Sequence, residues 1–291
     1  MTDALQKAFT EMGGEYSARS EVVKVILDNG KAKGIRLRDG TEIEARELVV
    51  SDLSALQTVQ LIGEENIDSR IVRRVKNIRY NRHNVIWAEI AVHELPQYKA
   101  ASFNPDCGPQ PRLYMGPRNS DYMANQYLSE ILVHGISSKL FMFTGPDTIW
   151  DKSRAPEGKH LIGVEEFAAP TRFFSVSRWQ ELRREFEDAI IEQWQIYAPN
   201  MTRDNIIGCR IFTPYDIEQR RPNMHQGCIA VGDMIASQMD RFRPTPELSG
   251  YRTPIENVYL CSAATHNGVG TGRGCSYNCY QVIRKDFGFE Q

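Results

Sequence analysis

The residues best placed to do chemistry lie near the C-terminus, around a group of closely spaced glycines. An apolar run at residues 257–261 predicts a buried strand, and residues 276–285 predict a helix. Between them stand Thr265, His266 and glycines at every second position from 268 to 274. Glycine lets a backbone approach a ligand closely, and the first N–H groups of a helix point outward without intrahelical partners. The pattern therefore predicts a site for a polar or anionic ring edge.

The sequence offers no second catalytic constellation and no metal site. It shows neither paired carboxylates nor a Ser/His/Asp or Cys/His arrangement. None of the six cysteines forms a CxxC pair, so we expect reduced and mostly buried thiols. Cys275 and Cys279 lie four residues apart on the predicted helix. Because no matching His or Cys pair completes a zinc site, we expect no metal.

The charge balance argues against nucleic acid as the main partner. Lys plus Arg is 35 and Asp plus Glu is 37, which leaves a net charge of −2. Binding to a phosphate backbone needs a basic excess or a clear basic face. One basic run, from Arg70 to Arg82, is more simply a solvated helix face. No apolar run reaches transmembrane length and the N-terminus lacks a signal-peptide core, so we expect a cytoplasmic protein without a transmembrane segment.

The elements that must position the glycine loop begin with a compact β-meander. A short helix is predicted at residues 5–12, followed by strands at 22–27, 32–37, 42–45 and 48–51. Asn29 and Gly30 separate the first two strands, and Asp39 and Gly40 separate the next two. Asn-Gly and Asp-Gly between β-branched runs are strong hairpin signals.

The central part of the chain predicts both helices and strands. Helices are predicted at 54–62, 68–75 and 177–197, and strands at 84–92, 140–143, 160–167 and 206–212. Ser177 and Gln180 fit a capping box for the longest helix, whose apolar stripe indicates core packing. Residues 96–125 predict a long ordered loop, and a Pro/Arg-rich loop extends through residue 222. Aromatic residues in loops either line an apolar substrate pocket or fill gaps, and this choice stays open for Tyr114, Tyr122 and Tyr127.

Distant segments of the chain, in this order, resemble one known family. They are residues 13–51, 155–170, 228–234 and 241–274. Together they resemble the C-terminal part of phytoene-desaturase-like flavoproteins, within the broad amine-oxidase-like group of FAD enzymes. The likeness is strongest to the pyridine nucleotide-disulfide oxidoreductase domain branch. No single motif is specific, but their order and spacing are.

The resemblance implies an α/β fold of mixed α+β character. It comprises an incomplete FAD-binding Rossmann-like domain with a β-meander, and a mixed-sheet substrate domain with helices. Residues 1–52 and 226–291 would belong to the flavin domain and residues 53–225 to the substrate domain. In the family, a GxGxxG loop after the first strand holds the FAD pyrophosphate. This chain has no GxGxxG after a strand.

The resemblance also implies cofactor-binding positions. Val22 matches the strand start near the adenine end, and Ser51 the end of a strand that runs toward the flavin. Gly232 and Asp233 match a Gly-Asp pair ahead of the final motif. The loop beside the isoalloxazine ring matches Thr265, His266, Asn267, Gly268, Gly270 and Gly272. There, N–H groups at a helix start would stabilise negative charge on the reduced flavin.

Departures from the family pattern leave alternatives open. The family has Cys-Gly-Ala-Gly where this chain has Cys261, Ser262, Ala263 and Ala264, and Asn267 replaces its proline. The extra side chains would crowd the flavin and weaken its binding. His266 is the catalytic candidate, for proton transfer, but a hydrogen-bonded structural histidine is the alternative. Asp233 either contacts the cofactor or braces a loop.

Three functional hypotheses follow from the resemblance. In the preferred one, the chain is a subunit of a split FAD-dependent oxidoreductase of dehydrogenase or desaturase type. A partner chain supplies the GxGxxG half in a hetero-oligomer, FAD is shared, and hydride passes from an apolar organic substrate to flavin N5. The lack of paired acids suits this chemistry, which the flavin carries. The alternatives are a non-catalytic scaffold or regulatory subunit that binds no flavin, and a fragment of a longer enzyme.

Overall fold

The chain forms two compact units. The computed structural model describes residues 2–110, 112–266, 268 and 273–289. Unit 1 comprises Met1–Asn77 and Asp240–Gln291, and unit 2 comprises Ile78–Met239. The division into flavin-binding and substrate-binding parts, with boundaries at 52 and 225, stays a prediction. No helix in the described part of the chain is both long and apolar enough to cross a membrane.

Helices and strands are interspersed along the chain. The strands are β1 (Val22–Asp28), β2 (Lys31–Leu37), β3 (Glu42–Glu44), β4 (Val49–Ser51), β5 (Val85–Val92), β6 (Leu113–Met115), β7 (Met142–Pro146), β8 (His160–Phe167), β9 (Ile206–Phe212) and β10 (Val258–Leu260). The helices are α1 (Thr2–Glu11), α2 (Ala55–Ile62), α3 (Ser69–Lys76), α4 (Ser120–Gln126), α5 (Leu132–His134), α6 (Val176–Tyr197), α7 (Pro214–Arg220) and α8 (Arg273–Phe287). A π-helical turn, Tyr127–Ile131, joins α4 to α5.

Unit 1 contains two small sheets. Strands β1, β2 and β3 form the antiparallel meander that the turn residues predict, and Asn29 and Gly30 both adopt positive φ in its first turn. Such a turn matches the right-handed twist of the flanking strands. The second sheet pairs β4 with β10 in parallel, with Ser51 opposite Leu260. This pairing joins strands that lie far apart in sequence, and it positions the residues that follow Leu260.

Unit 2 is built on a five-stranded sheet in the order β6-β7-β8-β5-β9. Every strand pair is antiparallel, where we expected a mixed sheet, and the predicted α/β class with several sheets and helices is confirmed. Helix α6 packs Phe186, Ile190 and Trp194 against the even-numbered side chains of β5. These side chains are buried against α6, so the opposite face of the sheet is the one available for binding.

Three local predictions were wrong. Residues 96–125, expected to form a loop, contain β6 and α4, and the Pro/Arg-rich loop contains α7. In α7, Thr213 and Asp216 form a reciprocal capping box, and proline at the first position suits a helix start. Helix α6 begins one residue before the expected position because the side chain of Ser175, not Ser177, accepts the N–H of Arg178. At the start of each of these two helices, a side-chain cap determines where the helix begins.

Candidate functional site

The carboxyl ends of β4 and β10 lie side by side in unit 1. The backbone N–H of Cys261, just after β10, donates to the carbonyl of Ser51 over 2.7 Å. All three residues of β10 are buried, as the apolar run predicted. Ligands of open parallel sheets bind at the carboxyl ends of the strands. The segment that follows Cys261 therefore lies at the edge of the sheet where a ligand would bind.

A hydrogen-bonded turn follows β10. The hydroxyl and the backbone N–H of Thr265 donate to the carbonyl of Ser262 over 2.7 and 2.9 Å. The N–H of Gly268 in turn donates to the carbonyl of Thr265 over 2.8 Å. Thr265 is fully buried, so its side chain builds the turn and its hydroxyl is already engaged. Asn267, Gly270 and Gly272 lie outside the described residues.

The turn accommodates two of the side chains that replace the family's small residues. Ser262 is buried and its hydroxyl accepts the N–H of Ala264 over 3.1 Å, while Ala264 is only 2 % exposed. Both side chains are thus taken up inside the protein. Whether residues 262 and 264 crowd a flavin ring stays a prediction.

Arg243 is the charged residue packed against this turn. It is 2 % exposed, and its Nε and Nη2 donate to the carbonyl of Ala263 over 3.2 and 2.9 Å. Gly268 has a φ of +70°, and a Cβ there would lie 3.3 Å from Arg243 Nε. Glycine at 268 therefore meets both a conformational and a steric requirement. A guanidinium held in place here adds fixed positive charge beside the turn.

His266 lies near the surface of the same turn. Its Nδ1 is 3.4 Å from a carboxylate oxygen of Asp240, which is 81 % exposed, and its ring is 40 % exposed. Its backbone carbonyl accepts the hydroxyl of Tyr251 over 2.9 Å. An exposed contact of this kind contributes little to stability. The imidazole is accessible, and its role in proton transfer stays a prediction.

Three cysteines cluster beneath the turn. A hydrogen bond from the Cys279 thiol lowers the pKa of Cys261 to about 6. The thiol of Cys275 donates to the carbonyls of Thr265 and Gly268 over 3.8 and 3.6 Å. All six cysteines of the chain are free, but only Cys228, Cys275 and Cys279 are buried, where we expected most of them to be buried. The predicted i,i+4 pair thus joins α8 to the turn by packing and weak hydrogen bonds.

The other two predicted positions of unit 1 are at strand ends. Val22 opens β1 opposite Leu37 and is half-buried. Ser51 closes β4, and its hydroxyl lies 2.7 Å from that of Thr58. The structure brings Ser51 beside the turn through the β4–β10 pair. A contact of Val22 with an adenine end stays a prediction.

Gly232 and Asp233 belong to unit 2, where Asp233 braces a loop. Its buried carboxylate accepts the backbone N–H of Arg82 over 2.8 Å, and its own N–H donates to the carbonyl of Arg79 over 2.8 Å. Burial by itself raises the pKa of Asp233, but hydrogen bonds from His83 and two backbone N–H groups outweigh it and hold the pKa below its ordinary value. These contacts favour the alternative in which Asp233 braces a loop. A cofactor role stays a prediction.

The open face of the large sheet carries a row of mostly aromatic side chains that sequence patterns did not reveal. Cross-strand neighbours from β6 to β9 are Tyr114, Phe143, Glu165, Trp87 and Phe212, in that order. The rings of the first two stack with centroids 4.6 Å apart. Burial raises the pKa of the one carboxyl in the row above its ordinary range. The row, which we call the aromatic platform, is an apolar surface with a single acid near its centre.

The three tyrosines singled out earlier fall in different places. Tyr114 lies on the aromatic platform and also lines a cavity of about 780 Å³ beside β6. Tyr127 lines a second cavity, of about 410 Å³, and its hydroxyl donates to the carbonyl of Asn81. The hydroxyl of Tyr122 lies 3.3 Å from that of Ser138. Cavity lining and gap filling therefore both occur.

Comparison with known proteins agrees with the resemblance read from the sequence. No protein-family model matches the chain. It is 25 % identical over 294 residues to pyridine nucleotide-disulfide oxidoreductase domain-containing protein 2 of Rattus norvegicus, covering 98 % of this chain and 50 % of that one. It is 22 % identical over 272 residues to a neurosporene-forming phytoene desaturase of Rhodobacter capsulatus, covering 93 % and 49 %. The chain is thus similar to the C-terminal part of proteins named as phytoene desaturases and pyridine nucleotide-disulfide oxidoreductase domain proteins.

A third relative carries the name of an enzyme component. This protein of Castellaniella defragrans is named as one of the subunits of limonene dehydrogenase, and it is 24 % identical over 306 residues, covering 99 % of this chain and 54 % of that one. The chain thus spans about half the length of the curated relatives it matches, as a C-terminal portion would.

Solved structures share the fold of this chain. An oxidoreductase from Methanosarcina mazei superimposes with a TM-score of 0.57 at 17 % identity, covering 97 % of this chain and 53 % of that one. A reduced UDP-galactopyranose mutase superimposes with a TM-score of 0.53 at 12 % identity, covering 99 % and 51 %. Similarity at this level of identity concerns the fold only.

Sequence reasoning missed two features of the chain. Arg243 lies in an Arg-Phe-Arg-Pro run that reads as polar and exposed, and nothing in this run indicates that its second arginine is buried. The aromatic platform draws its members from five strands, so no local pattern contains it. The alternation of Trp87 and Glu89 with apolar residues in β5 was the one local signal of an open face.

Proposed function

We propose that this chain contributes the flavin-ring side of an FAD-dependent oxidoreductase of the dehydrogenase or desaturase type. The observation that carries the proposal is the turn at residues 262–268, which follows the paired ends of β4 and β10 and packs against the buried Arg243. A bound flavin would accept a hydride at N5. Arg243 and the N-terminus of α8 would favour negative charge on the pyrimidine edge of the ring.

We further propose that a partner chain carrying a GxGxxG loop supplies the ADP-binding half of the site. Parallel sheets are normally covered on both faces and contain more than two strands. Here β4 has one parallel partner, and Val50 at its centre is 45 % exposed. Helix α1 buries none of its side chains and exposes Leu5 and Phe9. These apolar surfaces need cover, and a large hetero-oligomeric interface would provide it.

The aromatic platform in unit 2 is the proposed substrate surface. Its stacked rings suit an extended apolar molecule, which gains from burial against them. Gly163 permits this arrangement because a Cβ there would lie 2.9 Å from the Trp87 ring. Glu165 is the polar group that such a substrate would meet. The proposed reaction is therefore removal of hydride from a C–H bond of an apolar organic substrate.

Co-purification tests the flavin and the partner separately. The polypeptide that contains residues 1–291 is isolated from its source through a tag, its intact mass is measured, and its absorption spectrum is recorded. Flavin bands in a complex with a GxGxxG-containing second chain support both proposals. Flavin bands in one longer polypeptide refute the partner and keep the flavin. A colourless preparation that retains such a partner refutes flavin binding and leaves the scaffold hypothesis.

A further inference from the structure

A groove along the outer edge of β9, which we call the arginine groove, lies in unit 2 and shares Phe212 with the aromatic platform. It encloses about 480 Å³ between α6, β9 and α7. Its charged lining residues are Arg183, Arg184, Glu187, Arg210, Asp216 and Arg220. Four arginines and two acids make this groove positive, although the whole chain carries a net charge of −2.

One arginine of the groove is neutralised within the protein. Arg183 forms a two-pronged ion pair with Asp216, in which Nε lies 3.1 Å from Oδ2. Asp216 also caps α7, so this pair holds α6 and α7 together. Arg183 therefore shapes the groove and has no charge left over for a ligand.

The other three arginines, Arg184, Arg210 and Arg220, are exposed. Within the part of the chain that the structure describes, no carboxylate forms an ion pair with any of them. Two carboxylates lie nearby, and each also contacts another partner. Glu187 lies 3.9 Å from Arg203, and Glu89, opposite Arg210 on β5, accepts the indole N–H of Trp87 over 2.7 Å.

Two of these guanidinium groups share one aromatic ring. The Cζ atoms of Arg210 and Arg220 lie 4.9 and 5.2 Å from the centroid of Phe212. Cation–π contacts restrict the motion of both side chains and so lower the entropy cost of binding a ligand between them. Each of the two guanidinium groups is a planar donor that can bind one phosphate group in two-pronged fashion.

We propose that the arginine groove binds a ligand carrying a diphosphate group. Two guanidinium groups that contact one ring provide a two-pronged partner for each of two phosphates. Arg184 supplies further positive charge from α6. The volume exceeds that of a single phosphate and lies within the range of small-molecule sites, about 300–1,000 Å³. The site rests on unit 2 alone and is independent of flavin binding.

Titration calorimetry of the full chain with inorganic pyrophosphate tests the site. We expect saturable binding that weakens about tenfold for each arginine removed in R210A and R220A. The variant R210K/R220K keeps the charge but loses the planar fork, and its affinity should fall between those of the wild type and R210A/R220A. The matched control is Arg241→Ala, because Arg241 is an exposed arginine of unit 1 that lies over Phe242 at 5.1 Å. Its affinity should match that of the wild type.

The same titrations decide against the site if the arginines do not matter. Absence of pyrophosphate binding, an unchanged affinity in R210A/R220A, or an equal loss in Arg241→Ala would each overturn the proposal. So would displacement of pyrophosphate by an equal concentration of sulfate, since that marks a general anion surface. A second titration with ADP distinguishes the source of the diphosphate. Tighter binding of ADP indicates a nucleotide ligand and equal binding indicates recognition of the diphosphate alone.

Discussion

Replacing Gly268 with alanine tests whether the turn is held against Arg243. Gly288, just after α8, is a matched control, because its φ of +63° is similar and a Cβ there would have no atom within 4 Å. A left-handed alanine costs about 1–2 kcal/mol, partly offset by about 0.4–1 kcal/mol from the stiffer unfolded chain. Gly288→Ala should therefore lower the free energy of unfolding of unit 1 by about 1 kcal/mol.

Gly268→Ala should cost more than its control because of the buried arginine. The new methyl group would lie 3.3 Å from Arg243 Nε, and the guanidinium donates to Ala263 over 3.2 and 2.9 Å. A hydrogen bond from a charged group contributes about 1.5–3 kcal/mol. If the side chain gives way and one bond is lost, the total loss should reach about 3 kcal/mol.

Hydrogen exchange is the suitable assay for this pair of variants. All four tryptophans lie in unit 2, so their fluorescence does not report on unit 1. The amides of Leu260 and Cys261 donate within unit 1, to Tyr251 and Ser51, and their exchange at increasing urea gives its stability. In an Arg243→Met background the extra cost of Gly268→Ala should disappear. Equal losses in the two glycine variants, or an extra cost that persists without the arginine, would refute the reasoning.

Two further predictions concern unit 2. Gly163→Ala should force the Trp87 ring aside, shift tryptophan emission and destabilise unit 2 by about 1–3 kcal/mol. The control Gly208→Ala, which adds a methyl group in open space on β9, should have none of these effects. Equal emission spectra of the two variants would contradict this. The pKa of Asp233 is lowered in the folded state. Its contribution to the stability of unit 2 is therefore present above the pKa of about 3.9 in the unfolded state, and is lost as the pH falls through the folded pKa. Asp233→Asn should therefore destabilise unit 2 by about 1–3 kcal/mol at pH 7 and less below pH ~4, measured by urea melts followed by tryptophan fluorescence; a difference that does not change with pH would count against it.

Local patterns predicted most elements because local chemistry decides them. Asn29 and Gly30 form the predicted hairpin turn, since positive φ at both positions is a property of those residues themselves. The apolar stripe of α6 becomes core, as its 3.6-residue period requires. Prediction failed at α4 and α7, where the side chains of Asn119 and Thr213 supply caps that outweigh a loop-like composition.

The sequence by itself determined the strand, the turn-forming residues and the helix around residue 268, and through them the family resemblance. Tertiary structure decided what surrounds that segment. The β4–β10 pair places Ser51 beside Cys261, and packing buries Arg243 against Gly268. The aromatic platform likewise arises only when five strands align in register. Backbone propensity acts over a few residues and is readable locally, whereas burial and charge environment depend on chain segments that meet only after folding.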